Sequence, residues 1–520
     1  MTTGTPATGE LYRHQPRVRR NGWQAVDVPA VGDPAWTPTL TVTVVVPAYR
    51  PGPLLPVVLA ALAGQRYPAH LLEVVVADDD PDTRLDVDDL PEVRPERTRV
   101  VRVDEVVPGG WGRAAACHAG ALVADGAVLH WLDADMLPEA DEVAAQARWH
   151  HVVDHAAVLG HKWFVDAAPA LARTPDEIRA AVADGTVGSW FDGAERTPHT
   201  WVEEIYERTD RLREAGWFAL RTHTGACASV GRDLYLDAGG MDTTLRLGED
   251  IALGARLGEA GAVFVPDDDA RSWHLGMSTV MGRRVAVNTY NDPHHADGSP
   301  VLRAKRYPGR TYAVPYLEVV LDARDHVQEQ VAACVDAVLA SSLHDLAVTL
   351  VGPWSRLTDA RATVLDDALV DVRILHATYR NEPRVRLVEP GAVPDRSDAP
   401  FRLTLPDAVA APQVDALERL LLHLEHTHDG LRLLHLPGGS TARLERTAAL
   451  SRARRLVAPD EHLDDVLDQV AGVEELSASR AGFLPSYDVA PVNYPRTGGP
   501  ALSSEDAWAR AGKQLGLPDA

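Results

Sequence analysis

Val128-Leu129-His130-Trp131-Leu132-Asp133-Ala134-Asp135 is an apolar run that stops on two carboxylates one residue apart. The run predicts a buried strand ending in a polar turn. Three earlier stretches read the same way. Residues 40–46 (LTVTVVV) run into Pro47-Ala48-Tyr49, residues 71–77 (LLEVVVA) are closed by Asp78-Asp79-Asp80, and residues 99–103 form a third. A helix-like apolar segment at 54–62 separates the first two. A loop and then a helix over 111–124 precede the strand at 128–132. Strand, helix, strand at this spacing predicts an α/β fold with a doubly wound, Rossmann-like parallel sheet. Ligands of such sheets sit beyond the carboxyl ends of the strands. Pro47-Ala48-Tyr49, Asp78-Asp79 and Asp133-Ala134-Asp135 all fall there.

The chain has 520 residues and a formal net charge of -24. That length predicts two globular units with tails. The charge argues against nucleic acid as a partner, because binding a polyanion needs basic surface to neutralise phosphates. A single nucleotide diphosphate is not excluded, since one metal ion or a few local donors suffice. Cys117, Cys227 and Cys334 are too few and too scattered for a disulfide framework or a zinc site, which fits a reducing cytoplasm. Residues 1–32 are polar and proline-punctuated, without the apolar core of a signal peptide, and no run approaches the roughly 18 apolar residues of a membrane span. A cytoplasmic protein without a membrane span is the expectation.

The expected organisation is a tail over 1–38, a first domain over 39–291, a linker rich in Pro, His, Gly and Asp over 292–311, a second domain over 312–485, and a tail over 486–520. The pattern restarts in the second domain, with a strand at 317–322, a helix at 328–340 and a strand at 346–351. Residues 431–439 (LRLLHLPGG) align with 128–135 and put Pro437 and Gly439 in place of the two aspartates. The reading is a smaller α/β repeat of similar architecture that has lost its carboxylates. It would serve as a scaffold, an acceptor-binding module or the surface of a homodimer.

Individually, each polar motif has a plain structural reading beside a chemical one. Asp133 and Asp135 can close a turn, or can offer oxygen ligands to Mg²⁺ or Mn²⁺. Asp78 and Asp79 can cap a turn, or accept a hydrogen bond from a base edge. Gly112-Arg113 opens a helix, where close backbone approach and the helix dipole favour an anion. Gly248-Glu249-Asp250 opens another helix over 251–259, where acidic residues are favourable through the dipole alone. The alternative there is Asp250 as a general base. His274, after Trp273, can pack or can supply a neutral imidazole as a metal ligand. Trp163, Trp190, Trp201 and Trp217 can be core, or can line an acceptor groove.

Taken in order, these segments resemble the family 2 glycosyltransferases of the GT-A fold. The resemblance rests on Val46-Pro47-Ala48-Tyr49, Asp78-Asp79, the segment from Gly112-Arg113 to Gly120, Asp133-Ala134-Asp135, Gly225 to Arg232, Gly239-Gly240-Met241-Asp242 and Glu249-Asp250. It spans residues 41–274. It implies a nucleotide-diphosphate sugar donor, with UDP favoured, held by Pro47, Ala48, Tyr49, Asp78, Asp79, Gly112, Arg113 and Asp133. It implies Mn²⁺ or Mg²⁺ on Asp135, Asp133 and His274. Asp250, beside Glu249, would be the base of an inverting transfer to a hydroxyl of a glycan, a glycolipid or a small metabolite. There are departures: Cys117-His118 stands where the family has Arg-Asn, and the Gly225–Arg232 spacing is one residue long. The Q-x-x-R-W motif of processive members is absent, which points to single-sugar addition. Two other readings remain. A nucleotidyltransferase would need a G-x-G-T-R loop after the first strand, which residues 47–52 do not supply. A non-catalytic nucleotide-sugar binder would not need Asp133, Asp135 and Asp250 together.

Overall fold

The computed structural model describes residues 15–277, 279–359 and 363–489; residues 1–14 and 490–520 of the expected tails lie outside them. The chain divides into two compact units, Met1–Arg306 with Thr447–Gly472, and Tyr307–Arg446 with Val473–Ala520.

The first unit is built on β1 (Val42–Pro47), β2 (Leu72–Asp78), β3 (Thr98–Arg102), β4 (Val128–Leu132), β5 (Met136–Pro138), β6 (Ala156–Val165), β7 (Thr197–Pro198), β8 (Cys227–Gly231) and β9 (Val263–Leu275). Its sheet runs β3-β2-β1-β4-β8-β6-β9-β5, with β7 on β6. The first four strands are parallel, as their continuous apolar runs imply for strands covered on both faces. The other half departs from the expected parallel sheet: β8 is antiparallel to β4 and to β6, and β5 is antiparallel to β9. Helix Leu54–Ala63 is apolar nearly all round and is almost wholly buried. Helix Arg113–Val123 lies so close to β1 that a Cβ on Gly120 would come within 2.3 Å of Val45. Two polar side chains inside the sheet, Thr43 and His130, face acidic partners. Thr43 donates to Glu73, which also takes Arg99, and His130 Nε2 lies 3.0 Å from Glu142 Oε2 with both side chains fully buried.

Helices Thr447–Leu456 and Leu463–Val470 also belong to this unit. Arg452 is buried among backbone carbonyls, donating to Gly261 at 2.8 Å, Ala262 at 2.6 Å and Val18 at 3.1 Å, with its guanidinium over the Trp217 ring. The division therefore differs from the boundary read in the sequence, because residues 447–472 leave the second domain. Helix Thr279–Gly298 likewise runs into the stretch read as a linker.

The second unit contains β10 (Leu317–Asp322), β11 (Leu346–Val351), β12 (Val385–Val388), β13 (Phe401–Leu405), β14 (Ala410–Pro412), β15 (Leu431–His435), β16 (Thr441–Arg446), β17 (Val473–Ser477) and β18 (Phe483–Pro485). Its main sheet runs β12-β11-β10-β13-β16-β15-β17, and β14 pairs with β18. Strand for strand this repeats the first unit: four parallel strands, an antiparallel partner, then two strands parallel to each other. Single bonds repeat too. Glu139 N–H donates to the Arg271 carbonyl, and Gln413 N–H to the Gly482 carbonyl.

This topology corrects one alignment. The equivalent of β4 is β13, and β15 corresponds to β6. The turn matching Asp133-Ala134-Asp135 is therefore Pro406-Asp407-Ala408, not residues 437–439. Both strands are short apolar runs before a turn, and only their place in the sheet tells them apart.

Candidate active site

The carboxyl ends of β1, β2 and β4 meet the start of helix Arg113–Val123, the strand β8 and the helix Glu249–Glu259. Past β1, Pro47 leads to Ala48, which is buried and donates its N–H to the Ala77 carbonyl. Tyr49 is exposed and meets Trp111 edge-on at 5.5 Å; Arg246 lies over the Trp111 ring at 4.7 Å.

The two aspartates after β2 have different duties. Asp78 is fully engaged: Arg102 donates to it at 2.6 Å, as do the backbone N–H groups of Leu85 and Asp80. It fixes the loop. Asp79 accepts the Gly112 N–H at 2.9 Å through Oδ2, while its buried Oδ1 has no hydrogen-bond partner. Burial raises the Asp79 pKa above the ordinary carboxylate value.

Arg113 is the hub. It donates to Asp133 Oδ1 through Nε at 2.8 Å, to Glu249 Oε1 at 3.0 Å and to the Gly225 carbonyl at 2.6 Å. Burial works against its charge, but the carboxylates of Asp133, Glu249 and Asp250 outweigh it and keep the group protonated. Its donors are thus turned toward protein acceptors. Gly225 tolerates this only as glycine, since a Cβ there would come within 2.7 Å of the guanidinium. The Gly225 N–H points the other way, to Asp250 Oδ2 at 3.4 Å, and the Ile251 N–H donates to Asp250 Oδ1 at 2.8 Å. One glycine therefore ties Asp250 to the hub that holds Asp133. Glu249 is 5% exposed and is taken up by Arg113, which makes it a positioning group.

Asp135 and His274 face each other, with Nε2 of the imidazole 3.7 Å from Oδ1 of the carboxylate. Pairing of β5 with β9 sets this distance, as Met136 is opposite His274. Oδ1 of Asp135 is buried and makes no hydrogen bond. Burial and the neighbouring Asp133 carboxylate push its pKa up to about 7. Burial pulls His274 down to about 4, so its imidazole is neutral and keeps a lone pair. Among the described residues no three His, Cys, Asp or Glu side chains form a metal cage by themselves. A buried, orphaned carboxylate oxygen next to a neutral imidazole nevertheless fits a divalent cation. Mg²⁺ and Mn²⁺ are commonly held by one or two protein ligands, with water and phosphate oxygens filling the rest.

Lys162 was not among the residues singled out in the sequence. It lies on β6, is 6% exposed, and donates to Thr224 Oγ1 at 2.8 Å, one residue before Gly225. Burial lowers its pKa, against the pull of nearby Asp133 and Asp250. The available signal was composition: only Lys162, Lys305 and Lys513 are lysines in a chain that otherwise uses arginine. Of the four tryptophans, Trp217 packs under Arg452, Trp201 lies against His199 and Trp190 under Arg173. Trp163 lines a cavity.

Residues 43–227 match the family model described as Glycosyl transferase family 2. No curated protein matches the chain. Among solved structures, the mannosyltransferase PcManGT of Pyrobaculum calidifontis, in complex with GDP-Man and Mn²⁺, is 20% identical with a TM-score of 0.37, over 55% of this chain and 70% of that one. TarS 1-349 of S. aureus with UDP-GlcNAc is 15% identical with a TM-score of 0.32, over 46% and 59%. GalNAc-T7 with UDP, GalNAc and Mn²⁺ is 16% identical with a TM-score of 0.33, over 50% and 51%. Likenesses this distant carry no argument about ligands. The matched span runs from β1 to the start of β8 and ends two residues beyond Gly225, so it contains Asp79, Arg113, Asp133 and Asp135. The first unit of this chain therefore carries a segment, residues 43–227, that matches glycosyl transferase family 2.

Proposed function

We propose that the protein transfers a sugar, with inversion, from a nucleotide-diphosphate donor to a hydroxyl acceptor, with Mn²⁺ or Mg²⁺ bound at Asp135 and His274 beside Asp133. A UDP-sugar is the favoured donor. The observation that carries the reading is the gathering of distant groups at one sheet edge through Gly225: Asp250 on its N–H, and Arg113 with Asp133 and Glu249 on its carbonyl. The carboxyl groups of Asp133, Asp135, Glu249 and Asp250 gather beside the cations of Arg113 and Lys162, an acidic excess that a divalent ion would offset. Bound there, that ion would neutralise charge on the departing diphosphate.

The chain's own groups supply the rest. The free Oδ1 of Asp79 accepts an N–H from the base, and Tyr49 and Trp111 offer aromatic surface beside it. Asp250 takes the proton of the acceptor hydroxyl as that oxygen attacks the anomeric carbon. The Gly225 and Ile251 N–H groups hold its carboxylate in place. Arg113 offsets Asp133 and Glu249, so the edge is not expelled by its own charge. We assign no transfer chemistry to the second unit, whose equivalent turn keeps only Asp407. No described helix is long and apolar enough to cross a membrane, and three buried free cysteines agree with a reducing cytoplasm.

The test is nucleotide release from a panel of UDP- and GDP-sugars, with and without Mn²⁺. Metal-dependent release of the nucleoside diphosphate supports the reading. Pyrophosphate formation from a sugar phosphate and a nucleoside triphosphate would replace it with nucleotidyl transfer.

A further inference from the structure

Strands β6 and β9 present Lys162 and His274 on one face, and a second concavity lies on the other. Side chains alternate along a strand, so His161 and Trp163 share that opposite face with their register partners Arg271 and Trp273. A cavity of about 490 Å³ opens there, lined also by Glu139, Asp192 and Arg196. Trp163 and Trp273 are direct register partners on neighbouring strands. Trp273 is the fixed member: its Nε1 donates to Glu139 Oε1 at 3.1 Å, and Phe191 and Arg196 lie against its ring at 4.7 Å and 5.0 Å. Trp163 is half-buried, with His161 edge-on at 5.2 Å. Arg196 donates to Asp192 at 3.0 Å, and Arg271 to the Asp268 carbonyl at 2.8 Å.

The lining selects its ligand by elimination. Glu139, Asp192 and Asp268 outnumber Arg196 and Arg271, which disfavours a phosphate or a nucleotide. The Arg196–Asp192 ion pair and the other charged lining groups disfavour an acyl chain. Planar carboxylates and a guanidinium beside indole suit adjacent hydroxyls on a ring whose C–H face packs on the aromatic surface. We propose that this cavity is a saccharide-binding site, separate from the donor edge, that holds a neutral hexopyranose unit of a glycan. The strands form the wall between the two sites. A glycan held here stays on the enzyme without entering the donor site, and this holds whichever donor the transfer uses.

The full chain is titrated with cellotetraose, maltotetraose and an α-mannotetraose by calorimetry and saturation-transfer NMR, with and without saturating UDP and Mn²⁺. We expect one of these to bind, with an affinity that UDP and Mn²⁺ leave unchanged. Trp163→Ala weakens it by about tenfold or more, as loss of an aromatic platform does, and leaves nucleotide release intact. If Trp163→Ala lowers the melting temperature, the exposed Arg196→Ala provides the same reading. Absence of binding by every tetrasaccharide overturns the proposal. So does binding that UDP with Mn²⁺ displaces, or binding that both variants retain. Failure of the transfer reading would show separately, as absent metal-dependent nucleotide release.

Discussion

Replacing Arg113 by methionine removes the charge that Asp133, Glu249 and the Gly225 carbonyl share. The side chains of Arg113 and Glu249 are 23% and 6% exposed. Breaking a buried pair from one side costs about 3–5 kcal/mol, because the remaining charge loses its partner and stays out of water. Partial solvent access to Arg113 places the expectation near the lower end, about 3 kcal/mol. For a unit of this size that is a fall in melting temperature of roughly 4 °C. The sign of its pH dependence follows from Glu249, whose pKa burial already raises. Without Arg113 it rises further. A carboxyl with a raised folded pKa contributes stability that is intact below its unfolded pKa and is lost as pH rises through the folded value. The penalty of Arg113→Met is therefore smaller at pH 5 than at pH 8. The double variant Arg113→Met/Glu249→Gln recovers part of the loss, because no uncompensated carboxylate remains at that position. Thermal and urea unfolding followed by circular dichroism at both pH values make the measurement. A single variant within about 1 kcal/mol of the parent, a penalty that does not change with pH, or strictly additive variants would refute the account of Arg113 as hub.

Four further outcomes are expected. Asp135→Ala abolishes both the stabilisation by Mn²⁺ with donor and the turnover, read by thermal shift and nucleotide release. Asp250→Asn keeps donor binding and loses transfer by about 100-fold or more, the usual scale for a general base; retained transfer removes it from that role. Lys162→Met, which empties a buried cationic position beside the loop that carries Gly225, lowers kcat by roughly tenfold or more, whereas an unchanged kcat would make Lys162 purely structural. Arg452→Met orphans the carbonyls of Gly261, Ala262 and Val18 and destabilises the first unit by about 3 kcal/mol. Unfolding midpoints of the parent and the variant decide that last case.

What sequence alone determined is what local burial can write into it. The strands at 42–47, 72–78, 128–132, 317–322 and 346–351 are continuous apolar runs because helices or sheet neighbours cover both faces, and the runs end where polar residues reach the sheet edge. Pro47, Asp79, Asp133 and Asp135 were therefore legible as edge residues, and the order of motifs carried the family. Periodicity says nothing about which distant group a side chain meets. Asp78 and Asp79 are adjacent and chemically alike, yet one is consumed by Arg102 and the other keeps a free oxygen. The tertiary structure decided that Arg113 faces carboxylates rather than solvent, that Lys162 lies in the same field, and that Arg452 carries residues 447–472 into the first unit. It also decided that β13, not β15, repeats β4. Two apolar strands look the same along the chain, and only hydrogen bonding to neighbours far away in sequence gives each its place.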